Sequence, residues 1–177
     1  MVSSQFAQWS VVVTFHIFPM IRKAVLKDFE FIYSLYMNPE LNHLFLYEMM
    51  DKKEFKLIFN QLRKANDLYL YEQTPHRIGM FKLIRLTHRT SHIAYLGGLA
   101  IHPDYWGKGE GYKMIMEIIL LGKQMELVRM ELSTTTTNEK AIRLYEKAGF
   151  KKEGVLRKYT RLGNGFVDEV IMSFLYE

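Results

Sequence analysis

The spacing of apolar residues changes several times along the chain, and each change predicts an element. Residues 20–25 read as a short strand. From Asp28, in an N-cap position, Phe29, Ile32, Tyr33 and Tyr36 recur at helical spacing until Asn38-Pro39 ends the run. Asp51, with Glu54 three residues on, has the form of a capping box. It opens a second helix whose apolar face is Phe55, Ile58, Phe59 and Leu62. Three strands are predicted next, over 68–72, 78–87 and 93–101. A Thr74-Pro75 turn and a polar Arg89-Thr90-Ser91 turn separate them, so they form an antiparallel meander. After Pro103 a glycine-rich loop leads into a helix over 112–123. A strand over 128–134 and a helix over 138–148 come next, the helix stopped by Gly149 at the C′ position. Strands over 150–157 and 166–175, joined at Gly163-Asn164-Gly165, close the chain.

The order β-α-α-β-β-β-α-β-α-β-β predicts an α/β fold, with a mixed, mostly antiparallel central sheet and helices on both faces. Only the strand-helix-strand unit around the glycine-rich loop should be parallel, with a right-handed crossover. At 177 residues one domain is expected, over 20–177. Residues 1–19 form an N-terminal extension. Its apolar run over 9–21 is broken by Ser10, Thr14, His16 and Pro19, is too short to span a bilayer, and lacks the preceding Lys or Arg of a secretory signal. Two readings stay open for it: an extra strand, or a segment ahead of a true start at Met20.

Composition narrows the chemistry. With no cysteine there is no disulfide, thiolate metal site or cysteine nucleophile, which fits a reducing cytoplasm. The net charge of +5 suits nucleic acid, an anionic membrane or a phosphorylated cofactor equally well. No basic-aromatic recognition motif and no spanning segment accompany it, so neither nucleic acid nor membrane is an expected partner. His88 and His92 are four apart but flank a turn rather than share a helix face, so no metal is expected.

The stretch from Leu99, Ala100 and Ile101 through His102-Pro103 to Trp106-Gly107-Lys108-Gly109-Glu110-Gly111-Tyr112 holds the most chemistry. A strand ends, glycines turn the chain, and a helix begins. Glycine lets backbone N–H groups approach a ligand, and a helix N-terminus adds unpaired donors and partial positive charge. The product is an anion cradle fit for a pyrophosphate. It lacks the Gly-Lys-Ser/Thr of a Walker loop and the full dinucleotide fingerprint.

Together with several positions nearer the C-terminus, this loop resembles the GNAT acetyltransferase superfamily. The further matches are Asn138, Ala141, Tyr145 and Gly149-Phe150, then Glu153-Gly154 to Arg157 and Gly165 to Met172. The resemblance spans about residues 20–176. It is strongest to the branch holding ribosomal-protein N-terminal and polyamine acetyltransferases. It implies the GNAT-like acyl-CoA N-acyltransferase fold and acetyl-CoA as co-substrate. It also implies transfer of acetyl to a primary amine, of a small molecule or a protein N-terminus, by direct attack. Leu99, Ala100 and Ile101 would pair with the pantetheine arm, and residues 106–112 would hold the pyrophosphate. Tyr145 would be the general acid for the leaving thiolate. Trp106 stands where Gln or Arg is commonest, at a position that mainly supplies backbone. Glu110 stands where an apolar residue usually packs, and its carboxylate would repel the pyrophosphate unless it points away.

The remaining assignments keep their alternatives. Asn138 can cap its helix and also meet the pantetheine arm. Glu131 is the candidate base, two residues from the matching position, Ser133; a solvated or strand-paired carboxylate is the alternative, with water relays as another source of base. Tyr33 and Tyr36 fit a core stripe, whereas Tyr47 and Glu48, between the first two helices, are expected to reach the acceptor. A non-catalytic acyl-CoA-binding or sensor module on the same fold is the rival function. Monomer and homodimer both remain open, as does the identity of the amine.

Overall fold

The computed structural model describes residues 20–177; the N-terminal extension and both readings of it lie outside the described residues. The elements are β1 (Ile21–Lys23), α1 (Phe29–Tyr36), α2 (Lys52–Lys64), β2 (Leu68–Gln73), β3 (His76–Arg85), β4 (Ile93–Ile101), α3 (Glu110–Gln124), β5 (Arg129–Thr135), α4 (Glu139–Lys147), β6 (Lys151–Leu162) and β7 (Gly165–Leu175). The strands form one seven-stranded sheet in the order β1-β2-β3-β4-β5-β7-β6. Every neighbouring pair is antiparallel except β4 and β5. The order of elements and the mixed sheet are those the hydrophobic pattern predicts.

Alternation along the strands sends side chains to two cores. Leu68, Leu70 and Met80 meet Ile32, Leu35, Phe55 and Phe59 of α1 and α2 on one face. Tyr69, Tyr71, Leu96, Met130, Leu132 and Met172 meet Met114, Ile115 and Ile118 of α3 and Ile142 of α4 on the other. Each large side chain so buried contributes about 1.5–3 kcal/mol, which clamps the sheet between two helical layers.

Local chemistry explains most boundaries. The Asp51 carboxylate accepts the Glu54 N–H at 2.9 Å, as a cap should. Asp28 does not cap α1. Its fully buried carboxylate accepts from Arg22 Nη1 at 2.7 Å and from the Val25 N–H at 2.8 Å, and Arg77 Nε lies 3.1 Å away. Two guanidiniums out-compete the helix end for it. α3 starts at Glu110, earlier than its apolar pattern, because Gly109 at φ +78° ends the loop there. β6 runs on to Leu162, through Arg157, Lys158 and Arg161. Those exposed residues carry no alternating pattern, but pairing with β7 on both sides of a break at Arg157–Tyr159 carries the strand on.

Candidate active site

β4 and β5 pair only over Ile93, Ala94 and Tyr95 against Arg129, Met130 and Glu131. Beyond Tyr95 and Glu131 they separate, and the cause lies in β4. Between Met80–Ala100 and Lys82–Gly97, two steps along β3 match three along β4. The extra residue is a β-bulge, and Gly98 at φ +57° supplies the conformation it needs. The bulge bends β4 away and leaves its edge, including Leu99, Ala100 and Ile101, without a partner on the β5 side. Such an edge can accept an added extended chain.

The glycine-rich loop closes one end of this gap. Gly107 and Gly109 take φ +73° and +78°, and a Cβ built on either meets nothing within 4 Å, so the loop faces open space. The first bond back along α3 is Lys113 N–H to Gly109 O at 3.2 Å, which leaves the N–H groups of Glu110, Gly111 and Tyr112 without helical acceptors. Gly111 serves packing instead. A Cβ there would come within 3.2 Å of Leu144, so its absence lets α3 pack on α4. Trp106 supplies more than backbone. Its indole N–H donates to Ile101 O at 2.7 Å and ties the loop to the end of β4. Lys108 Nζ reaches Asp104 O at 2.7 Å, and Lys147 Nζ sits 4.7 Å from the centre of the Tyr112 ring. These residues fit the phosphate end of an acyl-CoA, which would supply the acetyl group as an activated thioester.

Glu110 resolves the conflict raised by its charge. Its carboxylate turns inward, where it is 7 % exposed, accepts from the Tyr71 hydroxyl at 3.2 Å and pairs with Lys113 Nζ at 2.7 Å. It faces β2 rather than the cradle.

Tyr145 is held by the end of α4. Phe150 N–H donates to Tyr145 O at 3.0 Å and Gly149 N–H to Glu146 O at 3.0 Å, with Gly149 at φ +99°, which is a Schellman motif. The Tyr145 and Phe150 rings complete it, with centroids 5.8 Å apart. Burial, and to a lesser degree the Tyr95 phenol, push the Tyr145 hydroxyl well above the usual phenol range. It therefore stays protonated at neutral pH. Asn138 caps α4: its Oδ1 accepts the Ala141 N–H at 3.3 Å, and its Nδ2 donates to Thr134 Oγ1 at 3.2 Å.

On the α1/α2 side the gap opens into a cavity of about 240 Å³. Tyr36, Tyr47, Lys82, Tyr95, Ser133 and Glu169 are among its walls. Tyr95 Oη lies 3.0 Å from Ser133 Oγ, and Ser133 in turn donates to the Glu169 carboxylate, as does Thr160. Opposite Glu169 the edge strand is irregular. Four steps along β6, from Leu156 to Thr160, match two along β7, and Lys158 takes φ +53°. This bulge aims Tyr159 and Thr160 at the cavity.

Of the residues singled out from sequence, Tyr47 lines the cavity. Glu48 is exposed and absent from its walls. Glu131 accepts from Arg129 Nε at 3.0 Å, and Arg129 also binds Glu153, so this carboxylate is strand-paired and outside the cavity. Glu169 is the carboxylate that sequence reasoning missed. Tyr36, read as a core residue, is both core and wall. Among the described residues no cluster of three or more His, Cys, Asp or Glu could hold a metal, and no helix is long and apolar enough to cross a membrane.

A parallel strand-helix-strand unit parting over a backbone anion cradle, with a polar cavity across the gap, defines a protein for acyl transfer from a phosphorylated thiol carrier. The sequence model of the acetyltransferase (GNAT) family matches residues 23–150. The chain belongs to that family. It is 28% identical over 151 residues to the uncharacterized N-acetyltransferase YoaA of Bacillus subtilis, a match covering 79% of this chain and 83% of the relative. It is 30% identical over 80 residues to the ribosomal protein bS18 alanine N-acetyltransferase of Salmonella typhimurium, covering 45% and 54% of the two chains. The solved spermidine N-acetyltransferase of Vibrio cholerae, in complex with CoA and spermine, shares the fold at a TM-score of 0.78 and 24% identity, with 88% and 94% covered. The protein is thus an acetyl-CoA-dependent N-acetyltransferase.

Proposed function

We propose that the protein acetylates a primary amine of a small molecule held in the cavity on the α1/α2 side of the sheet, acting in the cytoplasm. The observation that carries this reading is the parting of β4 and β5 between a backbone cradle and a cavity that contains a carboxylate. The pyrophosphate is held by residues 106–112, and the pantetheine arm extends along Leu99, Ala100 and Ile101. The thioester then meets the amine in the gap. The amine nitrogen attacks the carbonyl carbon, the C–N bond forms and the C–S bond breaks. The nitrogen loses one proton and the sulfur gains one. Tyr145 gives the sulfur its proton, a role supported by its match to the family's pattern after Asn138 and by a hydroxyl that keeps its proton at neutral pH. Glu169 takes the proton from nitrogen, supported by its presence in the cavity wall, where Glu131 is absent. Tyr47 shapes the acceptor end.

The test is thiol release from acetyl-CoA with a panel of small amines, by wild type and by Glu169→Gln. We expect release with at least one small amine and a loss of turnover on the order of 10²-fold or more in the variant. An unchanged rate in Glu169→Gln removes Glu169 from the reaction. Transfer to protein N-termini alone refutes a small acceptor.

A further inference from the structure

Two polar groups in the cavity have no hydrogen-bond partner among the described residues. The Tyr36 hydroxyl is fully buried and makes no hydrogen bond to the described residues. Lys82, half-buried on β3, has no carboxylate within 4 Å and no hydrogen-bond acceptor among the described residues. The Asp67 carboxylate acts on it from beyond ion-pair distance, and the centre of the Tyr47 ring lies 5.8 Å from Nζ. Both side chains reach the bulge at Gly98. A Cβ built on Gly98 would lie 3.1 Å from the Tyr36 hydroxyl and 3.2 Å from Lys82 Cε. Glu169 lies across the gap, since β3 and β4 form one side of it and β5 and β7 the other.

Buried polar groups are normally satisfied, and leaving one bare is unfavourable. A hydroxyl and an ammonium on one stretch of cavity wall, neither hydrogen-bonded among the described residues, make a receptor for an anionic oxygen. The carboxylate opposite makes a receptor for an ammonium. Burial lowers the Lys82 pKa, and an anionic ligand would restore it.

We propose that the acceptor is a small amino acid, with its amine against Glu169 and its carboxylate against Lys82 and the Tyr36 hydroxyl. The inference rests on the acetyl-transfer reading above and adds the substrate class to it. A diamine or polyamine of similar length would set a second cation against Lys82, so the same cavity disfavours it. The cavity, smaller than the roughly 300–1,000 Å³ of drug-sized pockets, accommodates one small molecule.

The experiment uses matched sets of three amines with equal chain length: an amino acid, its carboxamide and the corresponding diamine. Several α- and ω-amino acids set the spacing between amine and carboxylate. Thiol release from acetyl-CoA gives kcat/KM for each, in wild type, Lys82→Met, Lys82→Arg and Tyr36→Phe. For wild type we expect the best amino acid to exceed its carboxamide by tenfold to a hundredfold, on the order of a hydrogen bond to a charged group. The diamine should fall lower still. Lys82→Met should bring acid and amide to within about twofold, through KM, while Lys82→Arg keeps most of the preference. Calorimetric acetyl-CoA affinity and melting temperature identify variants that remain folded. A diamine or amide used as well as the acid by wild type overturns the proposal. So does a Lys82→Met that lowers turnover equally for acid and amide, because Lys82 then serves the thioester. No release with any of these amines, in protein that binds acetyl-CoA, removes the small-acceptor reading and this inference with it.

Discussion

On the α3/α4 side of the sheet the site is made of backbone: the open edge of β4, two glycines at positive φ and the unpaired N–H groups that begin α3. On the α1/α2 side it is made of side chains from six elements, with Tyr36, Lys82, Tyr95, Ser133, Thr160 and Glu169 each on a different one. A pyrophosphate and a peptide-like arm can be held by groups every residue carries, so the chain need only fix a conformation. An acceptor is recognised by charge and shape, so that half depends on residue identity at scattered positions. One half marks the family, and the other sets what this member acts on.

The sharpest way to break this division is to find a side chain essential on the cofactor side. Tyr145 is the exception it allows, because proton donation needs a particular functional group. Tyr145→Phe keeps the ring against Phe150 and the Schellman bonds of α4, and removes only the hydroxyl. Turnover should fall by about 10² to 10⁴-fold, with acetyl-CoA affinity and melting temperature nearly unchanged. Turnover within twofold of wild type would give the proton to water or another group.

Gly109→Val tests the backbone half directly. At φ +78° an L side chain costs roughly 1–2 kcal/mol, and more when β-branched. No atom lies within 4 Å of the added Cβ, so nothing holds the loop in the strained form. The loop should relax instead, weakening acetyl-CoA binding about tenfold while the melting temperature changes little. Unchanged affinity in a folded variant would detach the loop from the pyrophosphate.

The same division explains what could be read from sequence. Gly107, Gly109, Gly149, Asn138 and Tyr145 occur at fixed spacings in one continuous stretch, because helix starts and stops are local events. The order of elements along the chain came from hydrophobic alternation and short turns. The acceptor half was largely hidden. Glu169 meets Ser133 and Thr160 only through the pairing of β5, β7 and β6, and no local spacing encodes that contact. Tyr36 sat in a stripe that reads as core, and it is core on one side. Asp28 looked like a cap because its two guanidinium partners are six and 49 positions away. One signal was available and unused: Gly97-Gly98 inside an apolar strand marks a bulge, and that bulge opens the site.

Glu110→Ile asks whether the cradle is indifferent to a side chain beside it. A carboxylate aimed at the phosphates would weaken binding, and its removal would tighten it. Here it is turned toward Tyr71 and Lys113. Acetyl-CoA affinity should stay within about twofold by calorimetry. The folded state should lose about 1–2 kcal/mol by denaturant titration, because the Tyr71 hydroxyl loses its acceptor in a buried setting. Tightening by tenfold would show that the charge reaches the cradle after all.

The smallest effect expected is at the base of the side-chain half, where Arg129 links β5 to Glu153 on β6. Hydrogen bonds from Arg129, then from Ser173, outweigh a small opposing effect of burial and hold the Glu153 carboxyl down at about 2. An unfolded glutamate titrates near 4.3. A carboxyl whose folded pKa is depressed adds stability that is complete above the unfolded value and fades as pH falls toward the folded one. The relevant window therefore runs from about pH 5 down to about pH 2. Glu153 is 40% exposed, so solvent screening keeps the contribution within about 1 kcal/mol. Glu153→Gln should melt slightly below wild type at pH 7, and the difference should shrink through that window as the wild-type carboxyl takes up its proton. Salt should narrow the gap at pH 7 as well, because the pair meets solvent. A difference that grows on acidification would mean that Glu153 is not the group held down by Arg129. The acid sensitivity of this half would then have to come from the better-buried Asp28, between Arg22 and Arg77 at the far edge of the sheet.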